Sequence, residues 1–461
     1  MSKGRSKYYM KLQKLIVNKL HDAYNYNVTF NSDITFLYGT NGCGKTTILN
    51  ITEAIITGML FKLFDYAFES ISLQYCNTKK CEEVYEITIK RPSKRTLYID
   101  FDGNKSEIEF IRADNDQRRG GDFEEIAKRY FDEYSILREI RKSFNYVYLP
   151  LNRSMNLRNS ADLYEDELNY MRYTRQFRYR FHDNMDSDFS YSSRDLNIIQ
   201  IEELIYRNYN YANSEIRNIE NNFRNQVLQS LLEVDANSST EELVSVLLES
   251  QALKISPSKI TEVKNQYISI LRELTSTDVD IENCETFFKL LRKDVQPQKD
   301  VDITSWFRYK EFNRIQRTIS LAEKTRKAKE KVMSNFQLFI DTMNSFISQT
   351  EEHKEFIISP DGRIGFITAF SKDIISVHHL SSGEKQLLIF FANLIFNVSK
   401  RQTGIFVVDE PELSLHLSWQ KIFVEKTMSI NPNMQLIFAT HSPEFVGKNR
   451  NKMFKLEKIY G

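Results

Sequence analysis

Apolar and polar residues alternate along much of the N-terminal part of the chain. The alternation runs from Val84 to Lys90, from Leu97 to Phe101 and from Glu107 to Ile111, and residues 11–37 contain two more strand-like stretches. A period of two is typical of half-buried antiparallel strands, because successive side chains point to opposite faces of a sheet. We therefore expect a β-rich lobe in this region.

Other segments are apolar without alternation. Ile405 to Val408 consists of β-branched and aromatic residues, which predicts a strand buried in a parallel sheet. Further runs that predict strands of the core are Ile34 to Tyr38, Phe144 to Leu149 and Gln435 to Ala439. A helix is expected after the first of these runs, and another through Trp419 and Phe423. These elements together predict an α/β core.

Residues 154–350 have apolar positions at helical spacing. Ile315 and Ile319 precede a charged stretch from Glu323 to Lys331, after which the apolar positions resume. The charged stretch fits the solvated face of a helix. No apolar heptad persists through several repeats, so we expect a compact helical insertion and not a long coiled coil. A hairpin at residues 360–362 is expected to lead back to the core.

A phosphate loop follows the Ile34 to Tyr38 strand. Its residues match the pattern Gly-x4-Gly-Lys-Ser/Thr, in which glycines let backbone N–H groups turn towards phosphate oxygens. Lys45 is expected to bridge the β- and γ-phosphates of ATP, and Thr46 to hold Mg²⁺. The candidate nucleotide-binding residues of this loop are Gly39, Asn41, Gly42, Gly44, Lys45, Thr46 and Thr47.

Two acidic residues and a histidine follow the C-terminal core strands. Asp409 and Glu410 stand at the end of one strand, where folds of this type handle Mg²⁺ and the attacking water. We expect Asp409 to be a metal ligand with Thr46, and Glu410 to be the catalytic residue that polarises water. His441 follows the next strand and is expected to be a second catalytic residue, in contact with the γ-phosphate.

The segment Leu380 to Gln386 reads Leu-Ser-Ser-Gly-Glu-Lys-Gln. Together with the phosphate loop, the acidic pair and the histidine, it resembles the ABC-type ATPases of the RecF, SMC and OLD-like branch, over residues 10–152 and 352–450. The resemblance implies an ABC-type P-loop ATPase head with a mixed β lobe and a parallel-sheet core, and ATP and Mg²⁺ as its ligands. In that family the signature of one subunit closes over the nucleotide of another. Ser381 and Gly383 are therefore expected to bind nucleotide across a homo-oligomer interface.

The resemblance divides the chain into parts. Residues 1–153 and 351–461 are the expected N- and C-terminal parts of the head, and residues 154–350 are the helical insertion with partner, oligomer and sensor surfaces. The Leu415-His416 pair resembles the RecF and OLD-like pattern more than the transporter pattern. The family's glutamine loop has no Gln in this chain, and Asn152 or Arg153 are the residues considered in its place.

Composition limits the partners. The chain has 461 residues, 41% of them hydrophobic, and a net charge of +1, which excludes a global attraction to nucleic acid or membrane. No segment approaches about 18 continuous apolar residues and no signal peptide is recognisable, so we expect a cytoplasmic protein without a membrane partner. The four cysteines fit reduced thiols better than disulfides or a zinc site.

One segment of the insertion is a candidate docking surface. Residues 169–180 interleave basic and aromatic side chains, and the basic ones include Arg172, Arg175, Arg178 and Arg180. This composition suits stacking on bases, inward packing of the aromatic rings, or binding to an acidic protein. Nucleic acid therefore stays one of several partners that the segment allows.

No nuclease constellation is recognisable, and no Toprim domain follows His441. We therefore expect this chain to cleave no nucleic acid and a separate Toprim-like nuclease effector to supply the destructive step. In layout the chain resembles the ATP-binding subunits of two-gene anti-phage systems, PARIS ATPases first and Septu ATPases next. That resemblance implies antiviral defence by abortive infection, started by a phage-encoded trigger protein. The alternative is a RecF/SMC-like DNA-binding repair ATPase, and a transporter motor is the third reading.

Overall fold

The computed structural model describes residues 10–77, 80–111, 122–144, 146–150, 193–232, 255–274, 281–294, 303–348, 353–398, 404–412 and 415–460. The chain forms two units, of which the first comprises the chain up to Tyr206 and from Leu338 onwards, and the second comprises Arg207–Gln337. The predicted docking segment at residues 169–180 lies outside the described residues, as do Asn152 and Arg153.

The first unit contains a seven-stranded antiparallel sheet, which confirms the predicted β lobe. Its strands follow the spatial order β15-β2-β1-β4-β5-β6-β7. They are β1 (Met10–Leu20), β2 (Tyr24–Thr29), β4 (Ser70–Asn77), β5 (Lys80–Ser93), β6 (Thr96–Phe101), β7 (Asn104–Glu109) and β15 (Ile459–Tyr460). Burial alternates along β6, since Leu97, Ile99 and Phe101 are buried between more exposed neighbours. The alternating sequence thus produces a sheet with one face in the core.

A second sheet of five parallel strands forms the core of the same unit. The spatial order is β14-β3-β13-β12-β8. These strands are β3 (Ile34–Tyr38), β8 (Tyr146–Pro150), β12 (Ile405–Asp409), β13 (Gln435–Thr440) and β14 (Met453–Lys455). Strands β3, β13 and β12 are adjacent, so their carboxyl ends meet at one edge of the sheet. The predicted core strands are all present, and β14 is an addition that its three-residue length hid from the sequence pattern.

Helices cover this core. They are α1 (Lys45–Ile56), α2 (Asp122–Glu133), α3 (Ser135–Ser143), α8 (Ser382–Ala392), α9 (Leu417–Ile430) and α10 (Pro443–Val446), with 3₁₀ turns at Leu60–Asp65, Val377–His379 and Arg450–Lys452 and a π turn at Asn393–Val398. Aromatic rings join several of these elements. Phe390 of α8 has its ring centroid 4.5 Å from that of Phe423 in α9 and 5.2 Å from that of Phe406 in β12.

A three-stranded sheet precedes the signature segment. It comprises β9 (Glu355–Ile358), β10 (Ile364–Thr368) and β11 (Ser371–Ser376) in the order β11-β10-β9. β9 and β10 form the predicted hairpin, whereas β11 was not expected. β11 lies at the exposed edge of this sheet and lacks the apolar alternation of a buried strand, so the sequence pattern did not predict it.

The described residues between the two halves of the head include four helices: α4 (Ser193–Leu232), α5 (Pro257–Leu274), α6 (Ile281–Asp294) and α7 (Ile303–Ile347). Within the second unit, Ile260, Phe288 and Phe312 belong to a buried apolar cluster. α4 and α7 have 40 and 45 residues, and the charged stretch from Glu323 to Lys331 lies inside α7. The charged stretch is therefore part of a helix, as the sequence predicted. No helix of the described ranges is both long and apolar enough to cross a membrane.

Candidate nucleotide-binding site

The phosphate loop connects β3 to α1 and requires glycine at specific positions. Gly42 and Gly44 have φ angles of 77° and 103°, a region that strains any residue with a Cβ atom. A Cβ on Gly44 would lie 2.7 Å from Tyr26 Oη. That hydroxyl donates a hydrogen bond of 3.0 Å to the carbonyl of Cys43, and burial raises the pKa of Tyr26 to about 12. Tyr26 thus supports the loop from β2, a contact that the sequence did not reveal.

Lys45 places its ammonium group inside the loop. The residue is only 6% exposed, and Nζ donates to the carbonyls of Gly39 at 3.0 Å and Thr40 at 3.5 Å. Nζ also lies 3.4 Å from Nδ1 of His441. The fold thus brings the predicted phosphate-binding lysine beside His441, the residue predicted to contact the γ-phosphate, although the two are far apart in the sequence.

Thr46 and Asp409 meet in the same way. Thr46 Oγ1 donates a hydrogen bond of 2.9 Å to Asp409 Oδ2, while Asp409 Oδ1 is buried and has no hydrogen-bond partner among the described residues. Burial raises the pKa of Asp409, the hydrogen bond from Thr46 opposes that rise, and the nearby charge of Glu410 adds to it. A buried carboxylate with a free oxygen and negative neighbours favours a bound cation.

These ligands fit Mg²⁺. Mg²⁺ takes oxygen ligands and usually binds one or two protein groups together with water and substrate phosphates. Thr46 and Asp409 supply such oxygens. Among the described residues, no cluster of three or more His, Cys, Asp or Glu residues could hold a metal by itself.

Glu410 has an unusual backbone conformation. Its φ angle is 51°, and its N–H donates to the carbonyl of Ala439 at 2.8 Å. A non-glycine residue in this region costs about 1–2 kcal/mol, so the surrounding structure must hold it there. Glu410 Oε1 lies 3.6 Å from His441 Nε2, and both side chains are 34% exposed. The predicted catalytic pair therefore shares one accessible edge of the parallel sheet.

The signature segment forms the start of α8. Ser381 caps the helix, since its hydroxyl accepts from the N–H of Glu384, and the Glu384 carboxylate accepts from the N–H of Ser381 at 2.7 Å. Gly383 is buried in the first turn, while Ser381 is exposed. Among the described residues, the hydrogen bonds of Ser381 run to its own helix and not to the phosphate loop.

Lys354 is a further residue that the sequence did not point to. Its ammonium group lies 3.1 and 3.3 Å from the two carboxylate oxygens of Glu384. The two side chains are only 12% and 2% exposed. The signature glutamate therefore has a structural partner, and the ion pair fixes the beginning of α8.

The chain matches a family model over most of its length and individual proteins over shorter segments. A family model described as an AAA ATPase domain matches residues 10–446. The probable ATPase of retron Vc95 from Vibrio cholerae serotype O1 biovar El Tor is 31% identical over 112 residues, which are 22% of this chain and 21% of that protein. The probable ATPase of retron Ec83 from Escherichia coli is 27% identical over 148 residues, which are 27% of each. The aligned parts thus span about a quarter or less of these relatives.

Two solved structures resemble the whole chain weakly. One is the Smc head domain with an extended coiled coil from Pyrococcus furiosus, bound to the C-terminal domain of ScpA. It is 16% identical to this chain and has a TM-score of 0.36, and the match covers 95% of this chain and 91% of that one. The Smc head domain with a coiled coil and joint from Pyrococcus yayanosii is 13% identical, with a TM-score of 0.33 and coverage of 94% and 92%. Such scores say nothing about assembly or partners.

Proposed function

The chain belongs to the AAA ATPase domain family and is an ATPase with an ABC-type P-loop head. We propose that it is the regulatory subunit of an anti-phage defence complex. In this proposal, a homo-oligomer of the chain holds a separate nuclease effector. A phage-encoded trigger protein changes the assembly and releases the effector. Hydrolysis of ATP makes the change directional.

The observation that supports the ATPase mechanism is the convergence of residues from both ends of the chain. Lys45 Nζ, the Thr46–Asp409 pair and the Glu410–His441 pair meet at one sheet edge. The Lys45 ammonium now bound to loop carbonyls would bind the β- and γ-phosphates, because phosphate oxygens are stronger acceptors. The backbone N–H groups of the glycine loop would bind the remaining phosphate oxygens.

The cation site completes substrate binding. Thr46 Oγ1 and the free Oδ1 or Oδ2 of Asp409 would hold Mg²⁺. When bound there, Mg²⁺ supplies positive charge that neutralises the transferring phosphate. Asp409 and Thr46 also orient each other through their hydrogen bond, so neither has to reorganise on the arrival of substrate.

Glu410 and His441 would act on the reacting groups. A carboxylate next to the γ-phosphate orients water and accepts its proton as the oxygen attacks phosphorus. His441 lies between this carboxylate and Lys45, with Nε2 towards Glu410 and Nδ1 towards the ammonium group. Because an ammonium group can only donate, Nδ1 accepts from Lys45, and Nε2–H is the ring group that would donate to the γ-phosphate and report its presence.

The defence role is supported by the relatives. Two of the curated relatives are named as probable retron ATPases, which supports a role in defence. Their aligned parts are short, so the nuclease effector, the trigger and abortive infection belong to the proposal. The layout resemblance to PARIS and Septu ATPases specifies the proposed effector as a Toprim-like nuclease first and a His-Asn-His nuclease second.

Co-expression with the neighbouring genes tests this role. The full chain should co-purify with a neighbour-encoded protein that has nuclease activity, and cells should resist phage. Lys45→Ala should abolish resistance, whereas an exposed control such as Lys448→Ala on the same unit should keep it. Resistance without any nuclease partner would contradict the proposal. ATP-dependent, salt-sensitive binding to duplex DNA without a partner would favour the repair ATPase instead.

A further inference from the structure

We propose that Glu412 is a positioning residue for ATP hydrolysis, which holds the backbone of the loop after β13 so that His441 faces Glu410 and Lys45. This inference rests on the proposed role of His441 at the γ-phosphate. Glu412 is the third acid of the Asp409-Glu410-Pro411-Glu412 run. It is close in sequence to the proposed catalytic carboxylate of Glu410 but has a different role.

The contacts of Glu412 are with the backbone. Its Oε1 accepts hydrogen bonds from the N–H of His441 at 2.6 Å and from the N–H of Ser442 at 3.2 Å. Two adjacent N–H groups directed at one carboxylate oxygen form charge-assisted hydrogen bonds, which are among the stronger ones in proteins. The other oxygen, Oε2, is buried without a hydrogen-bond partner among the described residues. The side chain therefore joins the loop after β12 to the loop after β13.

Gln420 of α9 joins the same two loops from the other side. Its Nε2 donates to the carbonyls of Leu415 at 3.0 Å and Glu412 at 3.4 Å, and its Oε1 accepts from Ser442 Oγ at 3.0 Å. Gln420 is buried. Because a buried amide is costly to leave unpaired, these bonds resist separation of the loops. We call Glu412 and Gln420 the loop clamp.

The clamp matters because the histidine has few other restraints. His441 is a third exposed, and its ring is placed by contacts of 3.6 Å with Glu410 and 3.4 Å with Lys45. Contacts of this length are weak and depend on the backbone for their geometry. A shift of about 1 Å in a catalytic group is enough to lower a rate about 100-fold. Loss of the clamp should thus slow the chemical step more than it weakens binding of the adenine nucleotide as a whole.

Steady-state kinetics of Glu412→Ala and Glu412→Gln test the inference. Glu412→Ala removes the acceptor of both N–H groups and should lower kcat about 10- to 100-fold, with ADP affinity unchanged. Glu412→Gln keeps a carbonyl oxygen that accepts the same bonds, so kcat should recover to within about fivefold of the wild type. The matched control is Glu425→Ala, an exposed acid on α9, which should keep the wild-type kcat.

The outcomes separate three roles. A Glu412→Gln variant as inactive as Glu412→Ala would overturn positioning and make the carboxylate itself chemical. Wild-type kcat in folded Glu412→Ala would equally overturn the inference. If Glu412→Ala does not fold, Gln420→Met takes its place, with a loss in kcat at unchanged ADP affinity supporting the clamp and a wild-type kcat refuting it. His441→Ala with wild-type turnover would instead refute the proposed role of the histidine.

Discussion

At the scale of the residue, Asp409 has the environment expected of the proposed cation ligand. Its carboxylate is mostly buried, keeps one oxygen without a hydrogen bond, and has its pKa raised by burial. A carboxyl whose folded pKa exceeds the unfolded value destabilises the fold when it is ionised, so its contribution improves as the pH falls through the folded pKa. Without a bound cation, the ionised carboxylate of Asp409 therefore lowers the stability of the fold.

Asp409→Asn tests whether the buried charge lowers stability and is needed for activity. The amide oxygen can still accept from Thr46 Oγ1, whereas the buried charge is lost. We expect a higher melting temperature at neutral pH without nucleotide, and ATPase activity reduced at least about 100-fold. Mg²⁺ with ATP should raise the melting temperature of the wild type and not of the variant. A less stable nucleotide-free variant in calorimetry would show that the buried charge is better compensated than its surroundings indicate.

Glu410→Gln tests the proposed catalytic carboxylate at the same scale. The substitution keeps the side-chain shape but removes the group that accepts the proton of water. We expect kcat to fall about 100- to 10,000-fold while ATP binding persists. Rapid filtration with labelled ATP, beside phosphate release, would measure both quantities. Turnover close to that of the wild type would exclude Glu410 as the general base.

At the scale of elements, the start of α8 is held by an ion pair with a residue that lies outside the helix. Lys354 lies just before β9 and pairs with Glu384 in the first turn of α8. Removing one member of a buried pair leaves an uncompensated charge, which costs about 3–5 kcal/mol. The capping box adds a local contribution of about 1 kcal/mol.

Lys354→Met should therefore lower the free energy of unfolding by about 3–5 kcal/mol, because the ion pair with Glu384 and the cation–π contact of the Lys354 ammonium group with the Phe366 ring are both lost. Adding Glu384→Gln should restore part of that loss, since the unpaired charge is then gone. Denaturant titration of the two variants gives the comparison. Equal stability of Lys354→Met and the wild type would mean that solvent reaches Glu384.

The sequence was most informative where short motifs follow buried strands. The strand before the phosphate loop, the strand before Asp409 and the strand before His441 could be recognised because each is apolar and each is followed by a distinctive motif. Tyr26, Lys354 and Gln420 could not be recognised, because their contacts depend on the packing of distant segments. The charged stretch from Glu323 to Lys331 could be recognised as a solvated helix face, and it lies inside α7.

At the scale of the whole molecule, the proposed ATP site is assembled from segments that precede and follow the helical region. Lys45 and His441 lie 3.4 Å apart, yet nothing in the separation of their motifs gives that distance. The order of parallel strands explains it, since β3, β13 and β12 are neighbours. Ser381 keeps its hydrogen bonds within α8 and is exposed, which leaves its hydroxyl and the helix start accessible to another copy of the chain.

Mixing two inactive variants measures most directly whether the proposed ATPase assembly exists. Lys45→Ala removes the phosphate-binding charge, and Ser381→Arg blocks the start of α8. If each nucleotide is shared between two copies, a mixed pair contains one site with both defects and one site with none. We predict that ATPase activity, absent from either variant alone, returns when subunits exchange. Verified hetero-oligomers without regained activity would contradict a nucleotide shared between copies.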